Sequence, residues 1–229
     1  MTRTMIRTHT TLALATLAAL GLAAAPAAHA QQTLYVSTNA NTIDTFSSTG
    51  TVSQFATDPG DGSVLDGPQG LAFDRAGNLY AANSGNNTIE KFTTGGVGTQ
   101  FASIGLNQPT GLAFDSAGNL YAANNGDSTI TEFPASGGAL IFASTGLNGP
   151  AGLAFDSAGN LYAANSGNNT IEKFTPGGVG TQFASEPNAP QFLAFGPAAA
   201  PEPSQFAAFG VGLLGLGALA LRARKHQAA

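Results

Sequence analysis

A chain of 229 residues with 43% hydrophobic content, 30 Gly, 12 Pro and only 9% charged residues suits many short strands joined by tight turns rather than a helical core. It contains no Cys, which excludes disulfides, thiolate nucleophiles, Cys-ligated metals and a lipid-modified N-terminal Cys. The formal charge is −5, yet between Gln31 and Gly196 twelve acidic residues stand against only Arg75, Lys91 and Lys173, so this part is a poor partner for nucleic acid, whose binding rests on Lys and Arg at phosphates.

Residues 1–30 read as an export signal. Arg3 and Arg7 supply the positive start, Leu12 to Ala25 the apolar run, and Ala28-His29-Ala30 a small-x-small cleavage site. The apolar run is short of the ~18 residues needed for a membrane span, which favours cleavage before Gln31 over a retained anchor.

From Gln31 to Gly196 the chain repeats. Gly70, Gly111 and Gly152 stand 41 residues apart, a period that signals stacked blades or solenoid units. In the copy starting at Gly152, four short runs follow one another: Gly152 to Phe155, Leu161 to Ala164, Thr170 to Phe174 and Thr181 to Ser185. Four strands per ~40 residues is the pattern of a propeller blade. The Asp that ends the first run (Asp74, Asp115, Asp156) is expected to bond backbone N–H groups of a hairpin turn, with a ring of carboxylates as the alternative. Pro68, Pro109, Pro150 and Pro190 precede the innermost strands, where a missing N–H costs least.

The aromatic residues set the blade count. All four Tyr (Tyr35, Tyr80, Tyr121, Tyr162) hold one position of the second strand, and Phe residues form three more sets of four: Phe46, Phe92, Phe133 and Phe174; Phe55, Phe101, Phe142 and Phe183; Phe73, Phe114, Phe155 and Phe195. One of the four units is split. Gln31 to Thr57 supplies its last three strands, while Pro190 to Phe195 matches the first strand, Pro68 to Phe73. The expectation is an all-β, four-bladed β-propeller in which N-terminal strands and a C-terminal strand close blade one and remove free sheet edges. The connection from Thr57 to Gly67, with Asp58, Asp61 and Asp66, is its least regular part; its spacing does not match the D-x-D-x-D-G calcium loop.

The run G-L-A-F-D-x-A-G-N-L-Y-A-A-N-x-G-x-x-T-I-x-x-F resembles the NHL repeat. That resemblance covers residues 31–196 and implies a β-propeller of a family used for binding proteins, nucleic acids or glycans and, in some relatives, for lyase or lactone chemistry.

Residues 197–204 form a Pro/Ala linker. Residues 205–229 hold an apolar run from Phe206 to Leu221, expected as a transmembrane helix, then Arg222, Arg224 and Lys225, which keep that end in the cytoplasm. Pro201-Glu202-Pro203, the apolar run and the basic tail together resemble the PEP-CTERM sorting signal of Gram-negative bacteria. The resemblance implies an exosortase-type membrane protease as a partner, an inner-membrane intermediate, and delivery to the cell surface or extracellular matrix. At about 16 residues with four Gly, the run is short for ~30 Å of hydrocarbon, which favours a transient span over a permanent one.

The groups that usually carry catalysis are scarce. His9, His29 and His226 all lie outside residues 31–196, so imidazole acid/base work and His-ligated zinc are excluded from the repeats. The candidate axial site is a ring of Asn residues ending the second strands, Asn39, Asn83, Asn124 and Asn165. Their amide oxygens could hold Ca²⁺, or they could bond local backbone at a turn. Glu90, Glu132 and Glu172 are expected on exposed faces of the third strands. Gly70 to Ser103 and Gly152 to Ser185 differ only at Arg75/Ser157 and Thr94/Pro176. Such interchangeable blades suit a non-catalytic module that binds polysaccharide or a surface protein; the competing reading is a calcium-assisted lactonase or lyase on the same scaffold.

Overall fold

The structure, a computed structural model, describes residues 33–57 and 65–196. The expected export signal, sorting motif Pro201-Glu202-Pro203 and transmembrane segment lie outside the described residues. Among the described residues there is no helix, and so none able to cross a membrane.

The strands form four antiparallel sheets. Blade one holds β1 (Leu34–Thr38), β2 (Thr42–Phe46) and β3 (Val52–Thr57). Blade two holds β4 (Pro68–Phe73), β5 (Leu79–Asn83), β6 (Thr88–Phe92) and β7 (Gly98–Ala102). Blade three holds β8 (Pro109–Phe114), β9 (Leu120–Asn124), β10 (Thr129–Phe133) and β11 (Leu140–Ala143). Blade four holds β12 (Pro150–Phe155), β13 (Leu161–Asn165), β14 (Thr170–Phe174) and β15 (Gly180–Ser185). The inner strands lie side by side, β4 against β8 and β8 against β12. Pro68, Pro109 and Pro150 each open an inner strand, as the sequence predicts.

Blades two and three are covered on both faces because a neighbour packs on each side. One hydrophobic cluster lies between each successive pair of blades. Within each pair a Tyr of the second strand meets two Phe edge-on. Tyr80 touches Phe101 of its own blade and Phe114 of the next, with ring centroids 5.1 and 5.0 Å away. Tyr35 and Tyr121 repeat this. A second step links the fourth strand of one blade to the third strand of the next, as Phe55–Phe92, Phe101–Phe133 and Phe142–Phe174. Edge-to-face pairs of this kind add roughly 0.5–1.5 kcal/mol each to the area they bury.

The inner strands approach so closely that only Gly fits between them. A Cβ on Gly152 would stand 2.5 Å from the Gln191 carbonyl oxygen and 2.8 Å from Phe192 Cα, and Gly70 and Gly111 meet Thr110 and Ala151 in the same way.

Closure of blade one differs from the expectation. β1 pairs only with β2, and residues 190–196 form no paired strand. The segment does take the place of an inner strand. It runs beside Gly152, and Phe195 meets Tyr162 at 5.0 Å as Phe155 meets Tyr121. The junction nonetheless differs in one residue: Phe192 stands where the other inner strands have Gly70, Gly111 and Gly152. A side chain there cannot enter the close approach that these glycines permit.

Gly111→Ala should lower stability by about 1–3 kcal/mol, the usual cost of forced overpacking, while Gly177→Ala, on an open turn with nothing nearer than Thr175 Oγ1 at 4.0 Å, should be close to neutral. Thermal melts followed by circular dichroism check both.

Candidate functional site

The Asp that ends each inner strand builds a turn. Asp74 Oδ1 accepts the N–H groups of Ala76 (2.9 Å) and Asn78 (2.8 Å), and Asn78 Nδ2 donates to Oδ2 at 2.8 Å. Asp115 and Asp156 make the same bonds. Gly77, Gly118 and Gly159 supply the positive φ that the turn needs. Burial alone would raise the Asp74 carboxyl, but the Asn78 and Ala76 donors and the Lys91 charge hold it below its ordinary value. At Asp156 the Asn160 side-chain donor leads the lowering. These carboxylates are engaged locally, each within its own blade.

The Asn positions behave alike. Asn83, Asn124 and Asn165 end β5, β9 and β13 and are buried. Asn124 Oδ1 accepts the Asn107 N–H at 3.2 Å, while Nδ2 donates to Gly105 O, Thr129 Oγ1 and Thr131 Oγ1. Asn165 does the same with Asn148, Gly146 and Thr170, and Asn83 Nδ2 donates to Thr88 Oγ1 at 3.0 Å. The Asn124 and Asn165 amides fasten the loops entering blades three and four to those blades. Asn39 is not their equivalent. The register places Thr38 opposite Thr42, as Asn83 stands opposite Thr88, because the turn after β1 is one residue shorter than the turn after β5. Thr38 Oγ1 accordingly bonds Thr42 Oγ1 at 2.7 Å, and Asn39 lies exposed in the turn. Among the described residues no three His, Asp or Glu side chains gather where they could hold a metal ion.

The glutamates correct the sequence reading. Glu90 is 1% exposed and Glu172 is also buried, because both lie on the face of the third strand that packs toward the preceding blade. Glu90, Thr131 and Glu172 share one register position, opposite Ala81, Ala122 and Ala163. Thr131 donates to Gly105 O; both carboxylate oxygens of Glu90 lack a hydrogen-bond partner. Burial pushes the Glu90 carboxyl up to about 7 and raises Glu172 as well. Of the acidic connection before blade two, Asp58 and Asp61 lie outside the described residues. The Asp66 side chain lies against Gly85, as Asn107 lies against Gly126.

Two concavities stand out among the described residues. An axial pocket of about 350 Å³ is walled chiefly by Leu71, Leu112, Leu153, Leu193 and Phe192, with Ser37 and Gln69 its polar members. A larger cleft, about 650 Å³, opens between blades two and three over Tyr80, Phe101, Phe114 and Phe133. Lys91 and Asp74 line it as an ion pair of 3.7 Å, with the ammonium 5.3 Å from the Tyr80 ring centroid. The Tyr80 hydroxyl and the Asp74 carboxylate hold Lys91 above its ordinary pKa against the opposing effect of burial. A strand-register count from Tyr80 brings Lys91 opposite that ring.

The NHL repeat family matches residues 147–174, the stretch that enters and forms most of blade four. No curated protein matches the chain in sequence. Among solved structures, virginiamycin B lyase from Staphylococcus aureus superposes with a TM-score of 0.58 at 17% identity, over 69% of this chain and 54% of that one. A chain of a nidogen/laminin complex gives 0.62 at 22% identity, over 72% and 65%. A structure provisionally assigned as a gluconolactonase gives 0.60 at 18% identity, over 72% and 64%. A further structure of the lyase is of a catalytically inactive variant with histidine replaced by alanine. The likeness defines the class, an all-β propeller scaffold carrying an NHL-type repeat. The chain spans less than two thirds of the length of these structures.

Glu90 carries the pH dependence expected of the fold. Its pKa in the folded chain, about 7, lies above the ordinary 4.5, so the folded state binds the proton more tightly and stability falls as pH rises from 4.5 to 7. Glu90→Thr, copying Thr131, should raise stability at pH 8 on the order of 1–3 kcal/mol and flatten that slope, as denaturant melts at pH 5 and pH 8 would record. Asn124→Ala should instead destabilise by about 1–3 kcal/mol at any pH, because it strips partners from buried loop groups; the same melts measure it.

Proposed function

We propose that this chain is an exported, non-catalytic binding or structural propeller, delivered through its C-terminal sorting signal to the cell surface or extracellular matrix. The observation that carries the non-catalytic part is the local engagement of its repeated polar groups. Asp74, Asp115 and Asp156 close turns, and Asn124 and Asn165 fasten loops. A catalytic site needs different groups converging on one point.

The seat we favour for a ligand is the cleft between blades two and three rather than the axis. Its aromatic floor suits the apolar face of a sugar ring or an aromatic side chain, and Lys91 and Asp74 offer a donor and an acceptor. The axial pocket is smaller and lined mostly by Leu and Phe, which suits a polysaccharide poorly.

The likeness to a lyase and to a structure provisionally assigned as a gluconolactonase keeps a second reading in view. It is weakened by the chemistry of the chain. Residues 33–196 contain no His, whereas the inactive lyase variant lacks one.

Purified protein is expected to be retained by extracellular polysaccharide or surface protein from its native envelope, and Lys91→Ala with Phe101→Ala to weaken that retention about tenfold or more, the scale of ~1.4 kcal/mol. Retention unchanged by these substitutions would remove the cleft from the proposal. Turnover of a lactone or cyclic peptide lactone by the wild-type chain would replace the proposal with the enzymatic reading.

A further inference from the structure

The ends of the arc are two halves of one interface. Each internal blade presents its Leu, Ala and third-strand Phe backward and its Tyr, Ile and fourth-strand Phe forward. The cluster between blades one and two joins forward residues Ile43, Ala56, Tyr35 and Phe55 to backward residues Leu79, Ala81 and Phe92. The same join recurs between the following blades.

At the ends the residue types persist without a partner blade among the described residues. Leu34 is 61% exposed, against 1% for its equivalent Leu79, and Val36 is exposed where Ala81 is buried. Phe46 is half-buried and meets no other ring among the described residues, whereas Phe92 and Phe174 are fully buried. On the forward face of blade four, Phe183 is 61% exposed and among the aromatic rings of the described residues touches only Tyr162. Ile171 is half-buried where Ile43, Ile89 and Ile130 are fully buried. Asp44 holds in β2 the register place of Glu90 and Thr131, so the polar position of the interface is present too.

The chain also begins a fifth blade. In each earlier step a turn residue at positive φ accepts a backbone N–H from the loop entering the next blade: Gly67 to Asn41, Gln108 to Asn87, Gly149 to Ser128. Ala189 N–H donates to Asn169 Oδ1 at 3.0 Å in the same manner. Residues 190–195 thus lie as the first strand of a blade, and β1–β3 are a blade lacking its first strand.

These ends do not pack on one another within the chain. Leu34 and Phe183 are each 61% exposed, and Phe192, in the position that Gly holds in the other inner strands, is 81% exposed.

We infer that two copies of this chain associate head to tail, residues 190–195 of each supplying the first strand to β1–β3 of the other while the forward face of blade four packs on the other copy's Leu34, Val36 and Phe46. Two such joins are reciprocal and close with two-fold symmetry, which prevents open-ended growth and covers the strand edges at both ends.

The absence of native Cys permits a clean test on the full chain. Differently tagged Phe46→Cys and Phe183→Cys chains, mixed and treated with a short bismaleimide, are expected to give a covalent dimer bearing both tags, with neither variant cross-linking alone. Phe183→Asp, at a position already exposed, should keep the β-sheet circular dichroism of the folded chain and shift sedimentation from dimer to monomer. A doubly substituted chain that cross-links only within itself would overturn the inference in favour of closure by one chain. So would a wild-type monomer, or a dimer that survives Phe183→Asp and gives no 46–183 product, the result expected if residues 206–221 drive association.

Discussion

The contact on which this molecule depends is the edge-to-face meeting of each second-strand Tyr with a Phe from the inner strand of the following blade. A single blade of four short strands cannot bury both of its faces, and repeat units of this kind gain stability by stacking. Tyr35, Tyr80 and Tyr121 each carry one such step across a blade boundary. Phe195 makes the same step onto Tyr162, so the blade-to-blade geometry continues past the last complete sheet.

Close stacking has a cost at the axis and a return at the rim. Inner strands that nearly touch demand Gly70, Gly111 and Gly152, and the loops entering each blade demand a buried amide to hold them. The repeated Asp and Asn residues are therefore architectural, and the chemical differences among blades fall at a few third-strand positions. Glu90, Thr131 and Glu172 share one buried place between blades, while Lys91, Glu132 and Lys173 share one on the opposite face. The cleft at Lys91 is thus a local variation on a repeated framework, the kind of site on which a common scaffold acquires a ligand.

Much of this was legible in the chain. The 41-residue period, the prolines opening the inner strands, the Asp turns and the four aromatic sets all report contacts close in sequence or repeated identically, so each copy corroborates the others. The errors arose where one residue of loop length or one layer of packing mattered. Matching Asn39 to Asn83 by identity overlooked a turn shorter by a single residue, which moves Thr38 into the register position. Placing Glu90 and Glu172 on an open face treated the third strand as though only one side of its sheet were covered.

By itself the sequence determined the unit: four strands, their turns, and the residues that stack one unit on the next, because local hydrogen bonding and strand alternation act over a few residues. Only the tertiary structure decided how the arc ends. Pro190 to Phe195 looked in sequence like the strand that closes blade one, but whether two matching edges meet depends on the angle accumulated over every blade between them and on the space left at the axis. Phe192 in place of Gly is 81% exposed, and residues 190–196 pair with no strand, an outcome that appears only in three dimensions.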